Sequence, residues 1–193
     1  MPQLIELETD RLRLRQWRQA DFAPFAQLNS DPQVMEFFPA ILSRIESDAM
    51  AERCQSLIAE RGWGLWATEC KASGAFVGFI GLHVPASDLP FSPCIEVGWR
   101  LSCSDWGKGY ATEGARAALR VAFRSLKERQ VVSFTSEHKV RSRGVMKRLG
   151  MREDGLFDHP RVPESSGLRR HCLYRLTVED YDNYDNQCPQ RVP

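Results

Sequence analysis

A short glycine-bearing stretch carries the clearest chemical signal in this chain. It runs Trp106-Gly-Lys-Gly-Tyr-Ala-Thr-Glu113 and directly follows Glu96-Val-Gly-Trp-Arg-Leu101, a run typical of a strand. Gly107 and Gly109 allow the backbone to turn with its amides pointing inward, and the next residues predict the first turn of a helix. Unpaired N–H groups at the positive end of a helix dipole suit a diphosphate. A tight strand-to-helix turn that needs glycine for steric reasons explains the motif equally well.

The composition is that of an ordinary globular protein and excludes several other classes. The chain has 193 residues, an apolar fraction of 42% and a charged fraction of 26%. A formal net charge of +1 produces no overall field that would attract a nucleic acid or a membrane. The first residues lack a secretion-signal pattern, and no apolar run approaches the ~20 residues of a membrane span. We therefore expect a cytoplasmic protein with no membrane partner and no specific nucleic acid.

Cysteine and histidine usage argues against a metal site. The six cysteines are scattered without a close pair, which disfavours a zinc site or a disulfide scaffold and favours a reducing compartment. We expect each cysteine to behave as a small, partly buried hydrophobic residue. The four histidines have no ligand-like spacing, so no metal is expected.

The elements that must position the glycine stretch alternate between strands and helices. Periodicity predicts strands over residues 4–15, 63–70, 75–83, 95–101, 131–135, 151–158 and 171–177. In the first strand Leu12 and Leu14 should point inward and the arginines outward. Helices are predicted over 20–28, 43–60, 109–125 and 142–149, with a short element from Asp31 to about Phe38. The sequence predicts one mixed α/β domain over residues 1–193, with a core of about 4–177 and a polar, peripheral end from about 180.

Four segments in order resemble the GNAT acetyltransferase superfamily, specifically the branch that includes the ribosomal-protein N-terminal alanine and serine acetyltransferases. They are Leu7-Glu-Thr-Asp-Arg-Leu-Arg-Leu-Arg15, Phe76-Val-Gly-Phe-Ile-Gly81, Trp106-Gly-Lys-Gly-Tyr-Ala-Thr-Glu113 and Ser142-Arg-Gly-Val-Met-Lys-Arg-Leu-Gly-Met151. The resemblance implies a splayed, mostly antiparallel sheet of about seven strands flanked by helices. It also implies acetyl-CoA as the donor substrate, with its thioester between the strand containing Glu96 and the strand 131–135.

The resemblance implies donor contacts along one strand, the glycine loop and the last helix. These residues are Trp99, Arg100, Leu101, Trp106, Gly107, Lys108, Gly109, Tyr110, Ala111, Thr112, Lys139 and Ser142. The chain departs from the family pattern at three positions. Trp106 replaces Gln or Arg, Lys139 replaces an asparagine that contacts the pantetheine arm, and Met146 replaces a tyrosine that protonates the leaving thiolate.

Acetyl transfer to an amine requires a base and a proton donor for the thiolate. The resemblance places Glu96 beside the thioester, which makes it the first candidate for the base, while a solvated or salt-bridged strand glutamate is the alternative. His159, in the polar loop before the last strand, is the second candidate. Ser142 is the remaining proton donor, although a serine there also suits a helix cap. No covalent carrier is indicated, because Cys103 lacks an evident activating partner.

The acceptor side is less specific. The candidates to line an acceptor pocket are Phe37, Phe38, Trp63, Trp66, His83 and His159. Aromatic residues at strand spacing also fit a core. A basic cluster is formed by Lys139, Arg141, Arg143, Lys147 and Arg148. It suits the CoA 3′-phosphate or an acidic acceptor, and equally a solvated helix face.

The sequence thus predicts an acetyl-CoA-dependent N-acetyltransferase that acts by direct transfer in a ternary complex. The acceptor is a primary amine, either a protein N-terminus or a small molecule, and the protein is a monomer or a homodimer. A non-catalytic acyl-CoA-binding or RNA- or ribosome-associated module is the alternative. A dinucleotide-binding oxidoreductase fits poorly, because Thr112 stands where its motif needs a third glycine.

Overall fold

A computed structural model of the protein describes residues 2–85 and 88–187. Its described strands are β1 (Leu7–Glu8), β2 (Leu12–Arg15), β3 (Leu65–Cys70), β4 (Phe76–His83), β5 (Glu96–Leu101), β6 (Gln130–Ser136), β7 (Arg152–Asp158) and β8 (Arg170–Thr177). The helices are α1 (Gln19–Ser30), α2 (Pro32–Met35), α3 (Arg44–Arg61), α4 (Tyr110–Arg120), α5 (Val140–Arg148) and α6 (Val178–Gln187). The eight strands form one sheet in the order β1-β2-β3-β4-β5-β6-β8-β7. The predicted strand 4–15 is therefore two short strands, and the mixed, mostly antiparallel α/β fold is confirmed.

The chain divides into two compact units, and β5 changes unit after its first residue. The first unit contains residues 1–83 and 97–118, and the second contains residues 84–96 and 119–193. In the first unit β1, β2, β3 and β4 pair antiparallel in chain order. In the second unit β6 and β7 both pair antiparallel with β8. The first residue of β5, Glu96, is in parallel register with Val132 of β6.

Local sequence signals set the ends of the long helix α3. The Ser43 hydroxyl accepts a hydrogen bond from the Glu46 N–H, and the Glu46 carboxylate accepts one from the Ser43 N–H, so the two residues form a capping box. At the other end Gly62 takes the left-handed conformation with a φ of +85° and closes the helix.

The first strand contains an error of prediction. Leu12 and Leu14 are fully buried, as expected, but Arg15 is buried as well instead of pointing into solvent. Its guanidinium donates two hydrogen bonds to Asp21 of α1, at 2.7 and 2.9 Å, and one to Glu69 of β3 at 2.9 Å. The face of β2 opposite the leucines is thus covered at Arg15, and two carboxylates neutralise the buried cation.

The end of the second unit also differs from expectation. The segment from about Asp180, predicted to be peripheral, begins within α6, and Tyr181 is only 5% exposed. Its ring stacks on Phe123 with centroids 4.6 Å apart. Phe123 lies in a π-helical turn, Val121–Ser125, that ends the helix begun by α4. Tyr181 therefore anchors the start of α6 to the core of this unit.

Gly78 in β4 allows the close approach of β5. Its φ is +135°, and a Cβ at this position would lie 2.1 Å from the Arg100 carbonyl oxygen and 2.9 Å from the Leu101 Cα.

We expect Gly78→Ala to lower the free energy of unfolding by about 3 kcal/mol, because the backbone of β5 must move. Gly74→Ala is the matched control, since Gly74 has a φ of +68° with nothing within 4 Å of a Cβ. Urea unfolding should show a loss of only about 1 kcal/mol for the control; equal losses would mean that backbone strain alone acts at Gly78.

Candidate active site

The glycine loop forms a concave backbone turn between β5 and α4. A short 3₁₀ turn over Cys103–Asp105 follows β5, and then Gly107 and Gly109 adopt φ values of +75° and +85°. A Cβ on Gly107 would meet nothing within 4 Å, so the space beside it is open. The Trp106 indole N–H donates to the Leu101 carbonyl oxygen at 3.0 Å and ties the loop to the end of β5. The first N–H groups of α4 lack carbonyl partners within the helix, as in any helix, which makes this turn suited to an anion.

Carboxylates near the loop are matched by cations. The Lys108 ammonium lies 2.9 Å from Asp105, and Arg11 lies 2.6 Å from Glu113 in the first turn of α4. The guanidinium of Arg11 also donates to the Lys108 carbonyl oxygen at 2.9 Å. Because both carboxylates are paired, they repel an anion at the helix terminus less than free carboxylates would.

Glu113 joins two segments that the sequence resemblance singled out separately. Its carboxylate accepts hydrogen bonds from the Thr9 hydroxyl at 2.6 Å, the Arg11 backbone N–H at 2.9 Å and the Arg11 Nε at 2.7 Å. Although burial opposes ionisation, these hydrogen bonds lower the pKa of Glu113. Our sequence analysis did not identify Thr9, Arg11 or Glu113 as site residues. The signal that could have identified them is their position in two of the four segments that resemble the family.

One cysteine differs from the inert thiols that we expected. The Cys70 sulfur lies 3.6 Å from the Tyr110 hydroxyl, at the start of α4. This hydrogen bond, with others from Ser73, lowers the pKa of the Cys70 thiol to about 7. Burial raises the pKa of Cys54 to about 11, in keeping with the expectation for a core thiol.

The side chain of Arg100 lies away from the glycine loop. Its Nη1 donates to the Asn29 side-chain oxygen in α1 at 2.6 Å, and its guanidinium lies over the Phe38 ring at 4.2 Å. For Arg100 only the backbone therefore remains in our prediction of donor contacts, and the contacts of Trp99 and Leu101 stay predictions.

Glu96 begins β5 in the second unit. Burial of its carboxyl raises the pKa to about 8, far above that of an ordinary glutamate. A carboxyl group with this pKa exchanges its proton near neutral pH, as a general base must. Glu96 keeps partial exposure, so the role of base and the alternative of a solvated or salt-bridged strand glutamate both stay predictions.

The position of Ser142 in α5 distinguishes its two candidate roles, helix cap and proton donor to the thiolate. The N-cap position is taken by Lys139, and Ser142 is the third residue of the helix, with its N–H donating to the Lys139 carbonyl oxygen at 3.1 Å. The expectation of Ser142 as the capping residue is therefore wrong, and the role of proton donor stays a prediction. Met146 is 1% exposed and belongs to the core.

The basic cluster of α5 contributes in part to structure. Arg143 donates to the Glu137 carbonyl oxygen at 3.3 Å and lies 3.5 Å from the Tyr174 hydroxyl. Arg143 thus holds α5 against its neighbours within the second unit.

One acceptor candidate is a core residue. Trp66 is fully buried, and its indole N–H donates to the Ile5 carbonyl oxygen at 2.7 Å, so it cannot line a pocket. Phe37, Trp63 and His83 keep partial exposure within the first unit. Burial first, and then Arg53 and Arg61, lower the pKa of His83.

His159 belongs to the second unit. Its ring lies 4.9 Å from that of His171, and burial and this neighbour lower its pKa. The remaining acceptor candidates stay predictions.

The described residues contain neither a cluster of metal-ligating side chains nor a membrane-spanning helix. Within residues 2–85 and 88–187, no group of three or more His, Cys, Asp or Glu side chains is placed to hold a metal ion. None of the helices in the same ranges is long and apolar enough to cross a membrane.

Comparison with known proteins agrees with this geometry. The family model for the acetyltransferase (GNAT) domain matches residues 11–152. FsC-acetyl coenzyme A-N(2)-transacetylase of Aspergillus fumigatus is 34% identical over 165 residues, which cover 80% of this chain and 68% of the fungal protein. The uncharacterized protein YkkB of Bacillus subtilis is 31% identical over 149 residues, which cover 76% of this chain and 84% of that protein.

A solved structure shows the same fold. The GNAT-family acetyltransferase from Bacillus anthracis superposes with a TM-score of 0.76 at 21% identity, covering 91% of this chain and 99% of its own. The family model spans most of the chain and includes the glycine loop. The chain therefore belongs to the GNAT acetyltransferase family.

Proposed function

We propose that the protein transfers the acetyl group of acetyl-CoA to a primary amine, directly and within a ternary complex. The observation that carries this proposal is the loop with Gly107 and Gly109 in the left-handed region, immediately before α4. Family membership supports acetyl transfer, and the name of the Aspergillus relative includes acetyl coenzyme A. The acceptor is a protein N-terminus or a small-molecule amine.

The glycine loop fits the donor's diphosphate. The open space beside Gly107 leaves room for a phosphate to approach the backbone closely. Amides of the loop and of the first turn, Tyr110, Ala111 and Thr112, then point at the anion together with the helix dipole. Lys108 neutralises Asp105 beside the loop, and Trp106 fixes the loop to β5.

Glu96 is the proposed base. With a pKa of about 8, its carboxylate is matched to a protein or peptide α-amino group, whose pKa is about 8, better than to a lysine ammonium near 10.4. Glu96 accepts a proton from the ammonium, which frees the nitrogen lone pair to attack the thioester carbon. A backbone N–H between Trp99 and Leu101 stabilises the developing oxyanion. Ser142 returns a proton to the departing thiolate.

Gly107→Val tests the assignment of the loop. We expect the Kd of acetyl-CoA, measured by calorimetry, to rise at least 10-fold, because a β-branched side chain disfavours the left-handed backbone that aims the amides. The free energy of unfolding should fall by about 1 to 2 kcal/mol from the same strain.

Gly74→Val provides the matched control. Gly74 has a similar positive φ and equally open surroundings, but it lies in the hairpin between β3 and β4. Its variant should lose the same stability while keeping the wild-type Kd. An unchanged Kd in Gly107→Val, with the loss of stability present, would show that the loop is only a tight turn.

A further inference from the structure

Arg100 is a half-buried cation without a carboxylate partner in the described part of the chain. Its Nη1 donates to Asn29, whereas its Nε is buried and has no hydrogen-bond partner among the described residues. The faces of the guanidinium are covered by Phe38 and Phe79, whose ring centroids lie 4.2 and 5.5 Å away. Burial lowers the pKa of Arg100 to about 10, and only Cys54 acts in the opposite direction.

Arg15 is a buried arginine whose guanidinium has only a structural role, and it provides a comparison. Arg15 is enclosed by Asp21 and Glu69, and each N–H group of its fork that faces the interior meets a carboxylate oxygen or a carbonyl oxygen. Buried charges are paired because an uncompensated one is strongly destabilising. Arg100 therefore needs a reason other than stability.

The surroundings of Arg100 hold its guanidinium in a fixed orientation. Asn29 and Ser47 are both fully buried, and the Asn29 side-chain N–H donates to the Ser47 hydroxyl at 2.9 Å. This bond turns the Asn29 oxygen toward Arg100. With the two rings against it, the guanidinium is preorganised, and its Nε edge lacks the acceptor oxygens that Arg15 has. Arg100 as a residue keeps partial exposure, but its Nε is enclosed, so a carboxylate pairs with the Nε edge only when the side chains around it move.

Arg100 is adjacent in the chain to the candidate donor site of the first unit, while its guanidinium lies against Asn29 and Phe38. It precedes Leu101, whose carbonyl oxygen holds the Trp106 indole of the glycine loop. We propose that Arg100 determines acceptor specificity by binding a carboxylate, so that the preferred acceptor is a primary amine that also carries a carboxylate, such as an amino acid or a short acidic peptide. This inference rests on the proposed function. A carboxylate fits the planar fork better than a tetrahedral anion does.

The test compares amines that differ only in the carboxylate. Phenylalanine and 2-phenylethylamine form one pair, and the dipeptide Ala-Glu and its fully amidated form provide a second. Wild-type protein should show a kcat/KM at least 10-fold higher for the carboxylate member of each pair, measured by CoA release. In Arg100→Met this ratio should fall to about 1, and Arg100→Lys should give an intermediate ratio, because lysine keeps the charge without the fork.

A stability measurement separates binding from a structural role. Methionine has a similar length and no charge, so Arg100→Met should keep or raise the free energy of unfolding. The melting temperature gives a readout that needs no turnover: phenylalanine should raise it in wild type and not in Arg100→Met.

Each outcome bears on the inference. An equal loss of kcat/KM for both members of a pair, a strong loss of stability in Arg100→Met, or no carboxylate preference in wild type would overturn it. Absence of turnover with every amine, together with the stabilisation by phenylalanine that depends on Arg100, would refute the proposed function and leave the carboxylate site standing.

Discussion

Glu96→Gln is expected to lower kcat for a primary amine by about 10²- to 10⁴-fold, the usual contribution of a general base. Glutamine has nearly the same shape but cannot accept the ammonium proton at neutral pH. In the wild type, kcat/KM should rise with pH until the pKa of Glu96, about 8, because only the ionised carboxylate is active. In the variant, the increase of kcat/KM with pH that is due to ionisation of Glu96 should disappear. The increase that is due to deprotonation of the acceptor amine should remain.

The same substitution has an opposite effect on stability. The folded pKa of Glu96, about 8, lies above the ordinary glutamate value of 4.5, so between pH 4.5 and 8 the unfolded chain releases this proton and the folded chain keeps it. Wild-type stability therefore falls as pH rises from about 4.5 to 8. Glu96→Gln removes this penalty, so its free energy of unfolding should exceed that of the wild type by on the order of 3 kcal/mol at pH 8, and by little at pH 4.5.

His159→Asn is the control for the identity of the base. If Glu96 is the base, this variant keeps the pH profile of the wild type. If Glu96→Gln keeps the wild-type rate and His159→Asn loses activity, His159 is the base. If acetyl-CoA binds tightly and neither variant nor wild type turns over any amine, the protein is a non-catalytic acyl-CoA-binding module.

Arg15→Met should lower the free energy of unfolding by about 3 to 5 kcal/mol. The substitution removes the cation from a buried cluster and leaves Asp21 and Glu69 without the partner that compensates their burial. Asp21 also accepts a hydrogen bond from the Arg18 N–H at the start of α1, so the disturbance reaches the first turn of that helix. Urea unfolding at neutral pH measures the loss.

Arg13→Met offers a matched comparison on the same strand. The Arg13 side chain is 40% exposed, and its ion pairs with Glu8 and Glu69 lie at 3.0 and 3.3 Å. Exposed pairs contribute little, so we expect a loss below about 1 kcal/mol. Similar losses for Arg13→Met and Arg15→Met would mean that burial of the Arg15 cluster does not determine its energy.

Local signals predicted much of the fold. Helix α3 and most of the strands depend on residues close to each other in the chain, and they lie near their predicted positions, apart from the first predicted strand, which is two. The glycine loop belongs to the same class, because the φ values of Gly107 and Gly109 are set by the turn itself.

Predictions of burial and role were less accurate. Trp66 resembled a pocket residue and Arg15 an exposed one, but both are buried. Hydrophobic patterns show which residues share a face of a strand, and they do not show whether the opposite face is also covered. Ser142 failed as a cap because α5 begins two residues before it.

The sequence by itself determined the family resemblance, most of the elements and the glycine loop, since these depend on short segments and their order. Only the tertiary structure decided the partners of the charged groups. Glu113 meets Arg11 from 102 positions away, and Arg100 meets Asn29 from 71. Among the described residues, Arg15 pairs with two carboxylates and Arg100 with none. Packing between distant segments determines this difference. The free energy of a charge depends on that environment far more than on its neighbours in the chain.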